Sequence, residues 1–492
     1  MLRSIRIGLA ALMLIGITWL FIDFTGTAWH WFGWTPKLQA IEAVLALNVG
    51  IIAFLVVLTL LFGRIYCSVI CPLGILQDVF GWMGKKTKKN RYSYSKELKV
   101  WRYGALVVFI VALIAGIGTI FQLLAPYSTY GMMATNLLQP VWQAGNNVLA
   151  AIAEQVDSYA FYHSNIWLRS LPSLIISAVC LILLAVLAWR NGRTYCNTIC
   201  PVGTILGFLS RFSWLKIYFD ESKCKQCSLC SKNCKSACID FKTHTVDSSR
   251  CVVCGDCLKS CRHDALHYGH APKATSTEDA SATDKGRRSF LLSSALLTTA
   301  VMAQQKDKVM DGGLAELQEK VAPERQTPLT PPGSLSMRHF AQHCTGCQLC
   351  ITECPNEVLR PSTDLMHLLM PTMSYERGYC RPECTHCSEV CPAGAIKPLA
   401  HELKASTQIG HAVWIKKNCV PLTDGVECGN CARHCPTGAI EMVPSDPDDE
   451  ESPMVPAVNE ARCIGCGACE NLCPARPFSA IYVEGHEVHK EV

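Results

Sequence analysis

Cys344, Cys347, Cys350 and Cys354, the last followed by Pro355, set a spacing that Cys463, Cys466, Cys469 and Cys473-Pro474 repeat. Four thiolates suit a [4Fe–4S] cubane. A C-x2-C-x2-C-x3-C-P run gives three ligands to one cluster, while its fourth cysteine reaches a second. Paired runs therefore mean paired clusters, close enough for electron transfer. The 492 residues hold 30 cysteines, and all but Cys180 fall in tight groups. Other uses of sulfur fit poorly. Disulfide frameworks belong to short secreted domains, and zinc sites usually come as two C-x2-C pairs.

Two further blocks lie between these: Cys380, Cys384, Cys387, Cys391-Pro392 and Cys419, Cys428, Cys431, Cys435-Pro436. Both have a longer first gap. That kinship predicts a nested exchange. Cys473 would complete the Cys344 block and Cys354 the Cys463 block; Cys435 would complete the Cys380 block and Cys391 the Cys419 block. An earlier pair of blocks runs Cys224, Cys227, Cys230, Cys234, Cys238 and Cys251, Cys254, Cys257, Cys261. Here Cys261 should complete the first block. Cys234 or Cys238 should complete the second, since Lys235 stands where proline is usual. The count is six [4Fe–4S] clusters.

A different repeat precedes them. Gly63-Arg64-Ile65-Tyr66-Cys67 leads to Cys71-Pro72-Leu73-Gly74, and Gly192-Arg193-Thr194-Tyr195-Cys196 leads to Cys200-Pro201-Val202-Gly203. The cysteines are copied together with their flanks. Four thiols at one place suffice for a seventh cluster or for two redox dithiols, and C-x3-C spacing allows both. Cys180 stands alone in an apolar stretch and reads as packing.

These groups need positioning elements. Four apolar runs, 7–22, 43–62, 104–125 and 171–189, each approach the ~20 residues that cross a bilayer, and predict four transmembrane helices. The loop 63–103 is rich in lysine and arginine, whereas the other two loops carry only Lys37 and Arg169. By the positive-inside rule both ends of this domain face the cytoplasm. Residues 131–156 read equally as an amphipathic surface helix or a loop. Residues 271–286 have linker composition. Arg287-Arg288-Ser289-Phe290-Leu291 and the apolar run to Ala303 then look like a twin-arginine export signal. The resulting division is 1–215 membrane domain, 216–270 two-cluster domain, 271–335 linker with the apolar segment 287–303, and 336–492 four-cluster domain. The fold class is a membrane α-helical domain followed by α+β bacterial ferredoxin-like domains.

A net charge of +5 gives no reason to expect nucleic acid. No histidine lies in the four apolar runs and no C-x-x-C-H occurs, so no haem is expected. No G-x-G-x-x-G or P-loop occurs, so no nucleotide is expected. No substrate-reducing site is visible. His30 and His163 are candidate acid–base groups for a quinol site, against the blander reading of exposed loop histidines. No cofactor is evident between the inner and outer clusters.

At the level of family, residues 1–270 resemble the NapH-type membrane ferredoxins of periplasmic nitrate reduction, through both C-x3-C-P motifs and the two-cluster block. Residues 285–492 resemble the exported NapG and MauM ferredoxins, through Arg287-Arg288, Gly378-Tyr379-Cys380 and Cys463-Ile-Gly-Cys466-Gly-Ala-Cys469-Glu. Those halves are usually separate proteins; here they are joined. The resemblance implies a multi-pass protein of the bacterial inner membrane, in contact with lipid. It would oxidise quinol from the quinone pool and feed a periplasmic reductase or cytochrome partner. The first ferredoxin domain would be cytoplasmic and the second periplasmic. The competing reading is a maturation or regulatory iron–sulfur protein for a metalloenzyme.

Overall fold

The computed structural model describes residues 2–86, 92–158, 160–270 and 318–491. The twin-arginine segment 287–303 and most of its linker lie outside them. Six helices define the helical body: α1 (Leu2–Ile22), α2 (Val49–Phe62), α3 (Pro72–Lys86), α4 (Lys99–Ala115), α5 (Leu171–Asn191) and α6 (Pro201–Ser210). Residues 139–154, open between helix and loop in the sequence, form a helix.

The chain does not form four membrane-crossing helices. Among the described residues only two, Arg3–Ile22 and Leu171–Asn191, are long and apolar enough to cross a membrane. The run 43–62 is interrupted where Leu47 takes φ 52° and Asn48 caps α2, its Oδ1 accepting from Ile51 N at 3.3 Å. The run 104–125 is cut by Gly116 at φ 72°, which ends α4 before the chain restarts as Gly118–Leu124. With 14 and 17 residues, α2 and α4 span about 21 and 26 Å, short of the ~30 Å hydrocarbon core. Both breaks carry ordinary helix punctuation, an Asn N-cap and a left-handed Gly at the C-terminus.

The two cysteine-rich units are α+β, built from short helices and two-stranded antiparallel ribbons. In the first, β1 (Lys216–Phe219) pairs with β4 (Leu266–Gly269) and β2 (Ile239–Asp240) with β3 (Thr245–Val246). In the second, β5 (Leu359–Pro361) pairs with β6 (Pro371–Met373), β7 (Thr407–Trp414) with β10 (Ile481–Glu491), and β8 (Ile440–Asp446) with β9 (Asp449–Val458). Buried Tyr375 donates to Gly465 O at 2.6 Å, and buried Glu470 joins Arg325 at 2.6 Å to the Val483 amide at 2.8 Å.

The units dock at opposite ends of the helical body. At one end Arg3 meets Asp256 at 2.7 Å, Arg193 N donates to Lys235 O at 2.8 Å, and Tyr268 donates to Phe62 O at 3.1 Å. At the other, Asn136 donates to Gln348 at 2.9 Å, Gln348 to Ser173 at 3.2 Å, and Thr119 to Leu365 O at 2.9 Å. Both long apolar helices run from one unit to the other. Arg3 begins α1, and Phe21 near its end packs with Gly131 beside the Cys347 carbonyl. Ser173 begins α5, and Gly192 follows its last residue.

Gly192 sits at φ 68°, and a Cβ there would run into the Lys235 carbonyl. Gly192→Ala should therefore weaken docking of the 216–270 unit by about 1–3 kcal/mol. It should appear as faster proteolytic release of that unit, whereas Gly8→Ala, with nothing within 4 Å, should leave release unchanged.

Candidate metal centres

The local fold around each block follows from the spacing. In all six, the third cysteine lies in a short helix: Cys230, Cys257, Cys350, Cys387, Cys431 and Cys469. In four blocks the helix is preceded by a left-handed residue, Ser228, Gly255, Gln348 or Gly467. That residue folds the first two thiols back over the helix start. In the two blocks with long first gaps, Thr385 and Gly429 at the same place have negative φ.

Cys224, Cys227, Cys230 and Cys261 line one cavity, the exchange expected from spacing. In the larger unit the exchange is local, not nested. Cys391 joins Cys344, Cys347 and Cys350, and Cys354 joins Cys380, Cys384 and Cys387. Cys473 joins Cys419, Cys428 and Cys431, and Cys435 stands beside Cys463 and Cys466. Four of the six fourth thiols share a feature. Ala265 N donates to Cys261 Sγ at 3.3 Å, Ile396 N to Cys391 at 3.5 Å, Ala439 N to Cys435 at 3.2 Å and Ala480 N to Cys473 at 3.3 Å. Amide donors to ligand sulfur stabilise the anionic form and tune potential. Burial pushes Cys254 and Cys347 up to about 12, so a bound cation must displace those protons. Among the described residues no three Cys, His, Asp or Glu side chains converge tightly enough for a single ion. Four of these quartets instead ring cavities, an arrangement that suits a cubane with separated irons.

Cys234 neighbours Cys251, Cys254 and Cys257, whose thiols it perturbs. Cys238 sits 3.5 Å from Cys234 and also contacts Cys251. Both Cys234 and Cys238 therefore lie against the Cys251, Cys254 and Cys257 block, Cys238 touching Cys251 as well as Cys234.

The C-x3-C-P cysteines come together in the interior of the helical body. Cys67, Cys71, Cys196 and Cys200 are each 4% exposed, and each lies in the electrostatic field of the others. Two fully buried guanidiniums accompany them. Arg64 Nη2 approaches Cys67 Sγ at 3.8 Å, while its other donors reach Ser249 O at 2.8 Å and Asn197 Oδ1 at 3.0 Å. Arg193 joins Asp78 at 2.7 Å and donates to Cys67 O. Arg64 Nε and Arg193 Nη2 are buried without a partner. Uncompensated buried cations are costly, and a thiolate-ligated cubane is an anion rich in sulfur acceptors. The residues present fit such a group. The arginines were not singled out from sequence as functional, although both stand in the repeated Gly-Arg flank.

The Cys196 quartet lies between the two units. Toward one, Asn197 donates to Ser236 O at 3.1 Å and Arg64 to Ser249 O, next to Cys234 and Cys251 in sequence. Toward the other, Tyr66 donates to Gln39 at 2.9 Å and accepts from Ala40 N at 3.1 Å; buried Glu42 follows, beside Thr345 and close to Cys347. Burial pushes the Glu42 carboxyl up to about 8. Beyond this point Cys350 neighbours Cys387, Cys466 neighbours Cys380, and Cys469 neighbours Cys431. His30 and His163 are exposed, the latter 3.3 Å from Glu154, and neither joins these groups.

Comparisons with known proteins agree with this chemistry. A family described as "4Fe-4S binding domain" matches residues 45–90 and 172–218, the two C-x3-C-P repeats. "4Fe-4S dicluster domain" families match 426–476 and 247–358. The latter takes in cysteine blocks that the structure sets at opposite ends. The methylamine utilization ferredoxin-type protein MauM of Methylobacillus flagellatus is 31% identical over 33% of this chain and 70% of its own length. The ferredoxin-type protein NapF of Escherichia coli K12 is 30% identical over 32% of this chain and 87% of its own. The ferredoxin-type protein NapG of the same strain is 29% identical over 33% and 75%.

The local exchange has a direct test. Cys391→Ser and Cys344→Ser should each remove about four irons, and the double variant no more than either alone. Cys391→Ser with Cys428→Ser should remove about eight. Iron analysis of the purified variants checks this; a nested exchange would reverse the two results.

Proposed function

The chain belongs to the ferredoxin-type iron–sulfur proteins, and on that premise we propose that it is a membrane-bound electron conduit. It takes electrons from a quinol and passes them along [4Fe–4S] centres to a partner reductase or cytochrome. The observation that carries this reading is the buried Cys67, Cys71, Cys196, Cys200 quartet, placed with Arg64 and Arg193 between the two cysteine-rich units. A seventh centre there supplies the link that the sequence alone leaves missing. Joined end to end, the quartets make one path from Cys227, exposed at one end, to Cys428 at the other. In this reading the chain fuses a NapH-like half to a NapG- or MauM-like half.

Membrane attachment is supported by the surfaces of the two long helices. On α5, Ile175, Val179, Ile182, Leu183 and Val186 are 46–60% exposed. On α1, Ile5, Ile7, Leu9, Leu12 and Ile15 are exposed as well. Exposed apolar area on this scale needs cover, and a bilayer provides it for helices about 30 Å long. With α1 and α5 as spans in the bacterial inner membrane, the 216–270 unit faces the cytoplasm and the 336–492 unit the periplasm. The segment 287–303 serves as the signal that exports the latter.

Two experiments test this. The purified chain should hold about 28 irons and as many sulfides, and Cys196→Ser should lower both by about four; an unchanged value would make these cysteines thiols without iron. Protease added to intact spheroplasts should cut within 306–332 and release an iron-containing fragment. Cleavage only in inverted vesicles would place both units on the cytoplasmic face.

A further inference from the structure

A cavity of about 400 Å³ opens between the first half of α1 and α3, on the side nearest the 216–270 unit. Its mouth is apolar and exposed, formed by Ile7, Ala11, Val79 and Trp82. Its floor is polar. Gln77, 1% exposed, donates through Nε2 to Cys196 Sγ at 3.2 Å, while its Oε1 has no partner. Arg6 reaches Asp78 through Nη1 at 3.4 Å, while its buried Nε has no partner. The floor thus offers one free acceptor and one free donor, each costly to leave unmade in a buried site. The volume falls in the range of small-molecule pockets, which are apolar with a few convergent polar groups.

We propose that this cavity binds the ring of a hydroquinone, one ring oxygen donating to Gln77 Oε1 and another accepting from Arg6 Nε. Its apolar tail leaves between Ile7 and Trp82 toward the lipid. The proposal rests on the quinol reading above and gives it a place. The position suits a redox ligand: Gln77 touches Cys196, and Lys235 and Asp256, on the same wall, adjoin Cys234 and Cys257 in sequence. A phospholipid headgroup suits it less. The cations at the wall are already engaged, Lys235 by Asp78 at 2.5 Å and Arg3 by Asp256 at 2.7 Å, and so offer no free charge to a phosphate.

The test uses the full chain in detergent, its clusters already reduced with dithionite, with menadiol as probe and tryptophan fluorescence as readout. Menadiol should quench saturably. Trp82→Phe should remove that saturable component, and Ala11→Phe, at the exposed mouth, should weaken binding about tenfold. Quenching unchanged in both variants overturns the site, as does displacement of the probe by phosphatidylglycerol but not by duroquinol. The quinol reading is scored separately, by bleaching of the visible iron–sulfur absorbance with menadiol. Bleaching without quenching at Trp82 removes this site and keeps the function. Quenching without bleaching keeps the site and removes the function.

Discussion

Two guanidinium groups buried beside four thiols constrain the rest of this structure. Arg64 and Arg193 are fully buried, and Arg64 has no carboxylate among its partners. A cation in that position is tolerated only where hydrogen bonds and a nearby anion offset its desolvation. The hydrogen bonds come from the carbonyls of Ser249, Cys196 and Cys67, and through Ser249 the Arg64 side chain that faces the thiols also holds the 216–270 unit, while Arg193 meets that unit through its backbone N at Lys235 O. The thiolates, with iron bound to them as proposed, would supply the anion. Docking of that unit and assembly of the central site are in this way one event, since removing either leaves buried charge unpaired.

The chemistry was legible in the sequence, and the architecture less so. Spacing alone identified the cysteine blocks and grouped Cys261 with Cys224, Cys227 and Cys230. It misled in the larger unit, where gap length was taken as kinship. Chain closure decides there. Cys354 and Cys380 are near neighbours in sequence, whereas Cys354 and Cys463 are far apart, and closing the shorter loop costs less entropy. Each pair of consecutive blocks folds as its own two-centre unit, and the two units then stack through the Cys380 amide, which donates to Cys466 O at 2.9 Å.

Hydropathy showed a similar division. The apolar content of the four runs was plain, but their continuity was not. Asn48 and Gly116 are single residues inside apolar stretches, and averaging over a window hides them. Each ends a helix, leaving α2 and α4 too short to span and freeing 36–48 and 117–138 to build the surface on which the larger unit sits. Gly131, Asn136 and Thr135 on that surface meet Cys347, Gln348 and Thr352. Read partly as membrane-crossing runs and partly as outer helix or loop, these stretches gave no hint of contact with a cysteine block 200 residues on.

The placement of the central quartet bears on why the halves are joined. In the proposed relay the centres must stay within short reach, and the stretch from Cys196 toward Cys347 is lined by Tyr66, Gln39 and Glu42 rather than by another cysteine block. That step therefore depends on the docking surface of the helical body and on little else. Its interface combines neutral polar contacts, among them Thr135–Thr352, Asn136–Gln348 and Gln348–Ser173, with Arg360 and Arg377 over the Trp167 ring at 4.5 Å and a shared apolar cluster around Phe21, Tyr127 and Leu349. Each polar bond contributes only about 1 kcal/mol. Separate chains would have to recover the entropy of association from such contacts. A covalent linker turns the same contacts into an intramolecular equilibrium at high effective concentration, which favours keeping the central quartet and Cys347 in register.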